Sequence, residues 1–170
     1  GAQVSLVVGV LSQAIVLLIG IPLGAIAGYF GGTTDNVLMR LVDVIYAIPQ
    51  LLMVLLFVNW WGPGLLNIFL AIGLVGWVTE ARLVRGQFLS LREQEYVQAA
   101  RVVGANGGYI IGRHMLPNSL TPIIVALTFG IPTAIFTEAA LSFIGVGIRP
   151  PQASWGQMVA DGAKPGYIVT

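Results

Sequence analysis

Few residues in this chain can do chemistry, and their spacing assembles no catalytic set. It has seven carboxylates, one histidine and no cysteine. Without cysteine there is no disulfide framework, thiolate metal site or thiol nucleophile. His114 stands at a loop end and cannot build a multi-histidine site by itself. No Gly-x4-Gly-Lys-Ser/Thr phosphate loop occurs, and the one lysine is Lys164. No nucleophile–base–acid arrangement is visible, so no catalytic residue and no metal site is assigned. The carboxylates in apolar surroundings are the residues of interest. Glu138 lies about twenty residues past Asn118 in an otherwise apolar run. A charge inside a membrane span costs at least about 2.5–3.5 kcal/mol on insertion scales, so it must face an interior or water. Glu138 would line a substrate path or tie its helix to a neighbour. Glu80 invites the same two readings. Asp43 follows Arg40 by about one helical turn, and the two are expected to pair.

The elements that hold these residues follow from charge distribution. The chain has 170 residues, 56% hydrophobic and only 9% charged, with a formal net charge of +1. Ordinary globular domains carry about 25% charged residues. Disorder needs high charge and low hydrophobicity, and nucleic-acid binding needs a basic field; both are excluded. The chain is therefore read as an all-α membrane protein. Residues 1–34, 44–79 and 114–137 contain no Asp, Glu, Lys or Arg. A transmembrane helix needs about 20 mostly apolar residues. Four spans are expected, at about 4–29, 36–58, 65–86 and 118–146. Barrel strands would alternate in polarity, and these runs do not. Gly31-Gly32 ends the first span, and Trp60-Trp61-Gly62-Pro63-Gly64 forms an aromatic turn after the second. Glycines from Gly20 to Gly28 give the first span a small face for helix packing. An outer segment, 148–170, is expected to hold a polar turn (Arg149-Pro150-Pro151-Gln152) and a short amphipathic helix capped by Ser154.

Basic residues set the orientation. Five arginines lie between Arg82 and Arg113, and Arg40 falls on the same side. Arg149 and Lys164 fall on the other. The Arg-rich loop is therefore expected to be cytoplasmic, with both ends of the sequence outside. No targeting peptide is visible. The chain opens almost directly in apolar sequence and stops at Tyr167-Ile168-Val169-Thr170, which reads as a segment of a longer protein.

The loop, 87–117, is more than a tether. Ser90 and Glu93 have the spacing of a capping box. Tyr96, Ala99, Ala100 and Val103 follow at helical spacing, Gly104 stops the helix, and a second short helix runs from Asn106 to Met115. Two readings of this hairpin fit. It lies in a partner's groove, with Ala99-Ala100 allowing close approach, or it packs under its own membrane helices.

Gln98-Ala99-Ala100-Arg101-Val102-Val103-Gly104 followed by His114-Met115-Leu116-Pro117 resembles the EAA loop of ABC-importer permeases. That motif reads Glu-Ala-Ala, three residues, Gly, nine residues, Ile-x-Leu-Pro. Gln98 replaces the usual Glu and loses its charge; His114 replaces the usual Ile. A second stretch, Glu138-Ala139-Ala140-Leu141-Ser142-Phe143-Ile144-Gly145-Val146-Gly147 with Pro150-Pro151 and Ser154-Trp155-Gly156, resembles the dipeptide/oligopeptide (and nickel) permease group.

The resemblance implies an ABC type I importer permease core with a cytoplasmic coupling-helix hairpin, in a bacterial or archaeal inner membrane. Glu95, Tyr96, Gln98, Ala99, Ala100 and Gly104 would dock an ATPase subunit, and Leu116 and Pro117 would seat the loop on the fourth span. Glu138 and Glu80 are the translocation-pathway candidates. The implied partners are a second permease subunit, two ATP-binding subunits, an extracytoplasmic solute-binding protein and the lipid bilayer. ATP would sit on the partner, with no cofactor in this chain and no nucleic acid. The implied cargo is a di- or oligopeptide. The competing class, an ion-coupled secondary transporter or channel subunit, requires ionisable residues enough to bind an ion, and only Glu138, Glu80 and Asp43 qualify. A third class, a membrane scaffold, would carry no substrate flux.

Overall fold

The computed structural model describes residues 1–148 and 153–163. The polar turn at Arg149–Gln152, and everything from Lys164 onward, lies outside the described residues. In chain order the helices are α1 (Ala2–Phe30), α2 (Gly32–Tyr46), α3 (Gln50–Trp61), α4 (Leu65–Arg92), α5 (Glu95–Val102), the single turn α6 (Gly107–Tyr109), a π turn (Ile110–Met115), α7 (Leu116–Phe143) and α8 (Trp155–Gly162). Among the described residues, three stretches are long and apolar enough to cross a membrane: α1, α4 and the continuous run Gly107–Phe143. The pair α2 and α3 makes a fourth if a broken helix counts as one span.

The expected second span, 36–58, is built as two helices, α2 and α3, with a break between them. Its apolar character is unbroken across Ala47-Ile48, but Pro49 lacks an N–H and pushes Ile48 away from helical angles. Pro49 becomes the residue before α3, with φ −54° and ψ 124°. The third helix also runs past its expected end. Nothing from Gln87 to Arg92 breaks it, and Phe88 on its inner face is fully buried. Ser90 is therefore an exposed position inside α4 rather than a helix cap.

The chain divides into two compact units, and α1, α4 and α7 each give residues to both. One unit holds 1–15, 48–76 and 128–170. Its core gathers Val8, Val54, Val58, Ile68, Ile72, Ala134 and Leu141. Two polar side chains on α1 are paired inside it. Ser12 Oγ donates to the carbonyl of Phe69 at 3.3 Å, and Gln13 Nε2 to that of Gly130 at 3.1 Å. The start of α8 is fixed as expected, with Ser154 Oγ accepting from the Gln157 amide at 3.1 Å.

The other unit holds 16–47 and 77–127. Here α1 meets α4 along glycines. A Cβ at Gly20 would lie 2.9 Å from the Glu80 Cβ, and one at Gly28 would lie 2.5 Å from the Phe88 Cβ. The small face read from the sequence is this contact. The turn into α2 needs φ of +64° and +54° at Gly31 and Gly32, which a side chain would resist. Asp43 pairs with Arg82 on α4 rather than with Arg40, which is exposed. The reason is packing of α4 against α2, which also brings the Arg82 guanidinium 4.1 Å from the centre of the Tyr46 ring. Asp35, buried in the first turn of α2, takes Arg85 in two bonds of 2.5 and 2.6 Å.

Candidate functional site

The hairpin is built on α4. After Arg92 the chain turns at Glu93-Gln94, and α5 starts at Glu95. Gln94 precedes it with extended angles and no side-chain cap. The helix is held from below by Val97, fully buried in a core with Val84, Phe88, Ile110, Met115 and Ile123. Ala100 packs partly against that core. Gly104 ends the helix at φ +84°. Its amide donates to the Arg101 carbonyl and the Ala105 amide to the Ala100 carbonyl, each at 3.0 Å. This is the two-bond glycine stop that closes orphan carbonyls at a helix end. Asn106 Oδ1 then accepts from the Tyr109 amide at 2.7 Å, starting the second arm.

One side of the hairpin is left uncovered. Glu95, Tyr96, Gln98, Ala99, Arg101 and Gly104 are exposed. Val102 and Val103 are 87% and 82% exposed. The apolar stripe read from the sequence includes Val103 and omits Val102; the residue that enters the core is Val97. The available signal was two valines directly before a stop glycine. The guanidinium of Arg101 sits 5.0 Å from the Tyr29 ring, tying α5 to α1. Leu116 packs on the same core as Val97, while Pro117 is exposed at the start of α7. Among the eight residues assigned to the loop, seven thus lie on α5, its stop or the core beneath it. Pro117 lies apart from that surface.

Besides Asp35, two carboxylates among the described residues are buried, one in each unit. Glu80, on α4, is 6% exposed, and its Oε1 is buried without a hydrogen-bond partner. Glu138, on α7, is fully buried. Its Oε1 accepts from Ser142 Oγ and from Ser154 Oγ, each at 2.6 Å, while Oε2 has no partner. The Trp155 amide donates to Ser5 Oγ at 3.0 Å, so α8 is tied to α7 and α1 at one point. Ser154 is both the cap of α8 and a donor to Glu138. His114 faces two rings, Tyr109 edge-on at 5.5 Å and Tyr96 at 6.3 Å. Among the described residues no three His, Cys, Asp or Glu side chains group as a metal site. The arrangement offers a binding surface and two lone buried carboxylates.

Comparison with known proteins agrees with this architecture. The profile of the family described as "Binding-protein-dependent transport system inner membrane component" matches residues 20–170. The oligopeptide transport system permease protein OppC of Bacillus subtilis (strain 168) is 45% identical over 162 residues, covering 95% of this chain and 53% of that protein. The dipeptide transport system permease protein DppC of the same organism is 48% identical, covering 95% of this chain and 51% of that protein. The chain thus spans about half the length of these curated relatives. A solved inward-facing structure of the MetNI methionine ABC transporter aligns with a TM-score of 0.79 at 19% identity, over 98% of this chain and 80% of that one. At that identity the match shows the fold.

Proposed function

The chain belongs to the binding-protein-dependent transport system inner membrane component family, and from that premise we propose that it is the membrane-spanning part of an ATP-driven importer. One observation carries the docking role. Helix α5 is anchored through Val97 on one side and presents Val102 and Val103, more than four-fifths exposed, on another. Two adjacent apolar side chains exposed at a helix end make a small patch that a partner surface can cover. An ATPase subunit is the partner the family premise supplies, held by Glu95, Tyr96, Gln98, Ala99, Ala100 and Gly104 together with the two valines. Leu116 seats the second arm, and Pro117 begins the span behind it.

ATP binds and is hydrolysed on that partner, since the residues here supply no phosphate loop. A second permease completes the pathway, and a solute-binding protein delivers cargo from outside a bacterial or archaeal inner membrane. Di- or oligopeptide cargo follows from what the similar permeases are named for. Glu80 and Glu138 each keep one buried oxygen without a partner. A rearrangement that uncovered either oxygen would present it to a passing peptide or to the second permease.

The test uses the absence of cysteine from this sequence. In the full-length protein, with any cysteine outside these residues replaced by serine, Ala100→Cys is treated with a short cross-linker in native membranes. Capture of an ATP-binding subunit, with yield that changes on adding ATP, supports the reading. Capture of only the same chain or lipid, in correctly inserted protein, overturns it and favours the ion-coupled class.

A further inference from the structure

The joint between the hairpin and α7 is not α-helical. Residues Ile110–Met115 form a π turn, closed by the Leu116 amide donating to the Ile111 carbonyl. Ile110 and Met115 are both fully buried in the core under α5. In an α-helix two residues five apart point about 140° away from each other, at 3.6 residues per turn. The wider i→i+5 repeat brings them to nearly the same side. The π register is what lets both side chains reach the core. Pro117 adds a second reason. Its ring would clash with the Arg113 carbonyl in α register, and it has no N–H to offer. Two neighbouring side chains add bonds to carbonyls around the joint. Asn118 Nδ2 donates to the His114 carbonyl at 2.6 Å and Ser119 Oγ to that of Leu116 at 2.8 Å. Gly112 stands mid-turn with open space where a Cβ would be, and glycine weakens any competing α register. The Tyr96 ring on α5 and the Tyr109 ring on α6 both face His114 in this turn.

We propose that the π turn Ile110–Met115 is a register joint that positions the docking hairpin against α7. It has two arrangements. In the π form Ile110 and Met115 are both seated. In the α form Ile110 rotates out, and α5 turns with it through the Tyr96–His114 contact. Force applied to the hairpin biases one form over the other and is passed to α7 as a change of register. The proposal rests on the reading of the hairpin as an ATPase-docking element. Ile110 and Met115 are positioning residues and touch no ligand.

Deleting Gly112 tests it. The deletion places Ile110 and Met115 four apart, on one face of an ordinary α-helix. The core contacts then no longer require the π form. The full-length protein, in its complex with the ATP-binding subunits in proteoliposomes, carries spin labels at Gly108→Cys and Leu120→Cys, on either side of the turn. In the intact turn, ATP with vanadate is expected to shift the label distance by about 1.5 Å or more, one α-helical rise. With Gly112 deleted the shift is lost, while ATP hydrolysis continues. Ile110→Ala keeps the chain length and is expected to move the nucleotide-free distance toward the ATP value; it carries the test if the deletion fails to fold. An unchanged shift in the deletion, or no shift in the intact turn, overturns the joint. Failure of ATP-binding subunits to co-purify with the intact protein overturns the docking reading and the joint with it. Co-purification without a shift overturns the joint alone.

Discussion

The point where Glu138 gathers two serines gives the sharpest energetic test. Its Oε1 accepts two hydroxyls at 2.6 Å, all three side chains being buried. Hydrogen bonds to a charged or strongly polar acceptor contribute about 1.5–3 kcal/mol each, and a buried donor left alone costs about 1–3. Glu138→Ala orphans both hydroxyls. Ser142 can recover by donating to the carbonyl four residues back in α7, as serines in helices do. Ser154 has no such helix behind it. The net cost of Glu138→Ala is therefore about 3 kcal/mol, most of it at Ser154. Ser154→Ala loses the same bond and also the cap to Gln157, worth about 1 kcal/mol. Glu138→Gln keeps an acceptor for both hydroxyls and alters only the oxygen that bonds to nothing, so it is expected to cost under about 1.5 kcal/mol. The assay is reversible unfolding of the full-length protein by SDS titration in mixed micelles. Tryptophan fluorescence reports it, because Trp155 directly follows the capping serine. The double variant Glu138→Ala/Ser154→Ala should be less damaged than the sum of the singles by about 1.5–3 kcal/mol. Additivity within about 0.5 kcal/mol would show that the bond between them carries nothing.

Two further outcomes separate the inner from the outer face of the hairpin and the inner from the outer ion pair. Val97→Ala should lower stability by about 1–3 kcal/mol, from two lost methyls plus a cavity. Val103→Ala, at 82% exposure, should leave stability within about 0.5 kcal/mol yet cut co-purification of the ATP-binding subunit several-fold. Equal loss of stability in both would refute the assignment of faces. Asp35→Ala should destabilise by about 1–3 kcal/mol, because it strips a bidentate partner from a half-buried Arg85. Asp43→Ala removes an exposed pair with Arg82 and should cost less than about 1 kcal/mol. Thermal unfolding of the two variants side by side decides it, and a larger effect at Asp43 would contradict the geometry.

What was legible in the sequence was what rests on local chemistry. Ser154 was readable as a cap because a cap needs only its own hydroxyl and an amide three residues on. Gly104 was readable as a stop because only glycine takes φ +84° without strain. The glycines of α1 were readable as a packing face because nothing else explains small residues in an apolar run. What was not legible depended on tertiary geometry over continuous hydrophobicity. The break at Ala47–Pro49 leaves no mark in apolar content. The π turn leaves none in charge or hydropathy, and its cause, two inward residues five apart, shows only once the core they enter is known. Asp43 turned from Arg40 to Arg82 because α4 lies against α2, a long-range fact with no signal along the chain.

That the stripe through Val103 leaves two readings of the hairpin open has a general physical cause. Tyr96, Ala99, Ala100 and Val103 do form an apolar stripe at helical spacing, and a stripe of that kind must be covered by something. Periodicity reports that a contact exists and says nothing about which molecule makes it. Helix α5 has two such faces, one through Val97 into its own core and one through Tyr96, Ala99 and Val103 into open space. For a monomer the second face would be a liability. For a helix seated between two molecules it is a requirement. Of the stripe read from the sequence, Tyr96, Ala99 and Val103 face outward and Ala100 packs partly on the core. Such a division suits a short helix that packs on its own chain and, as proposed, on another.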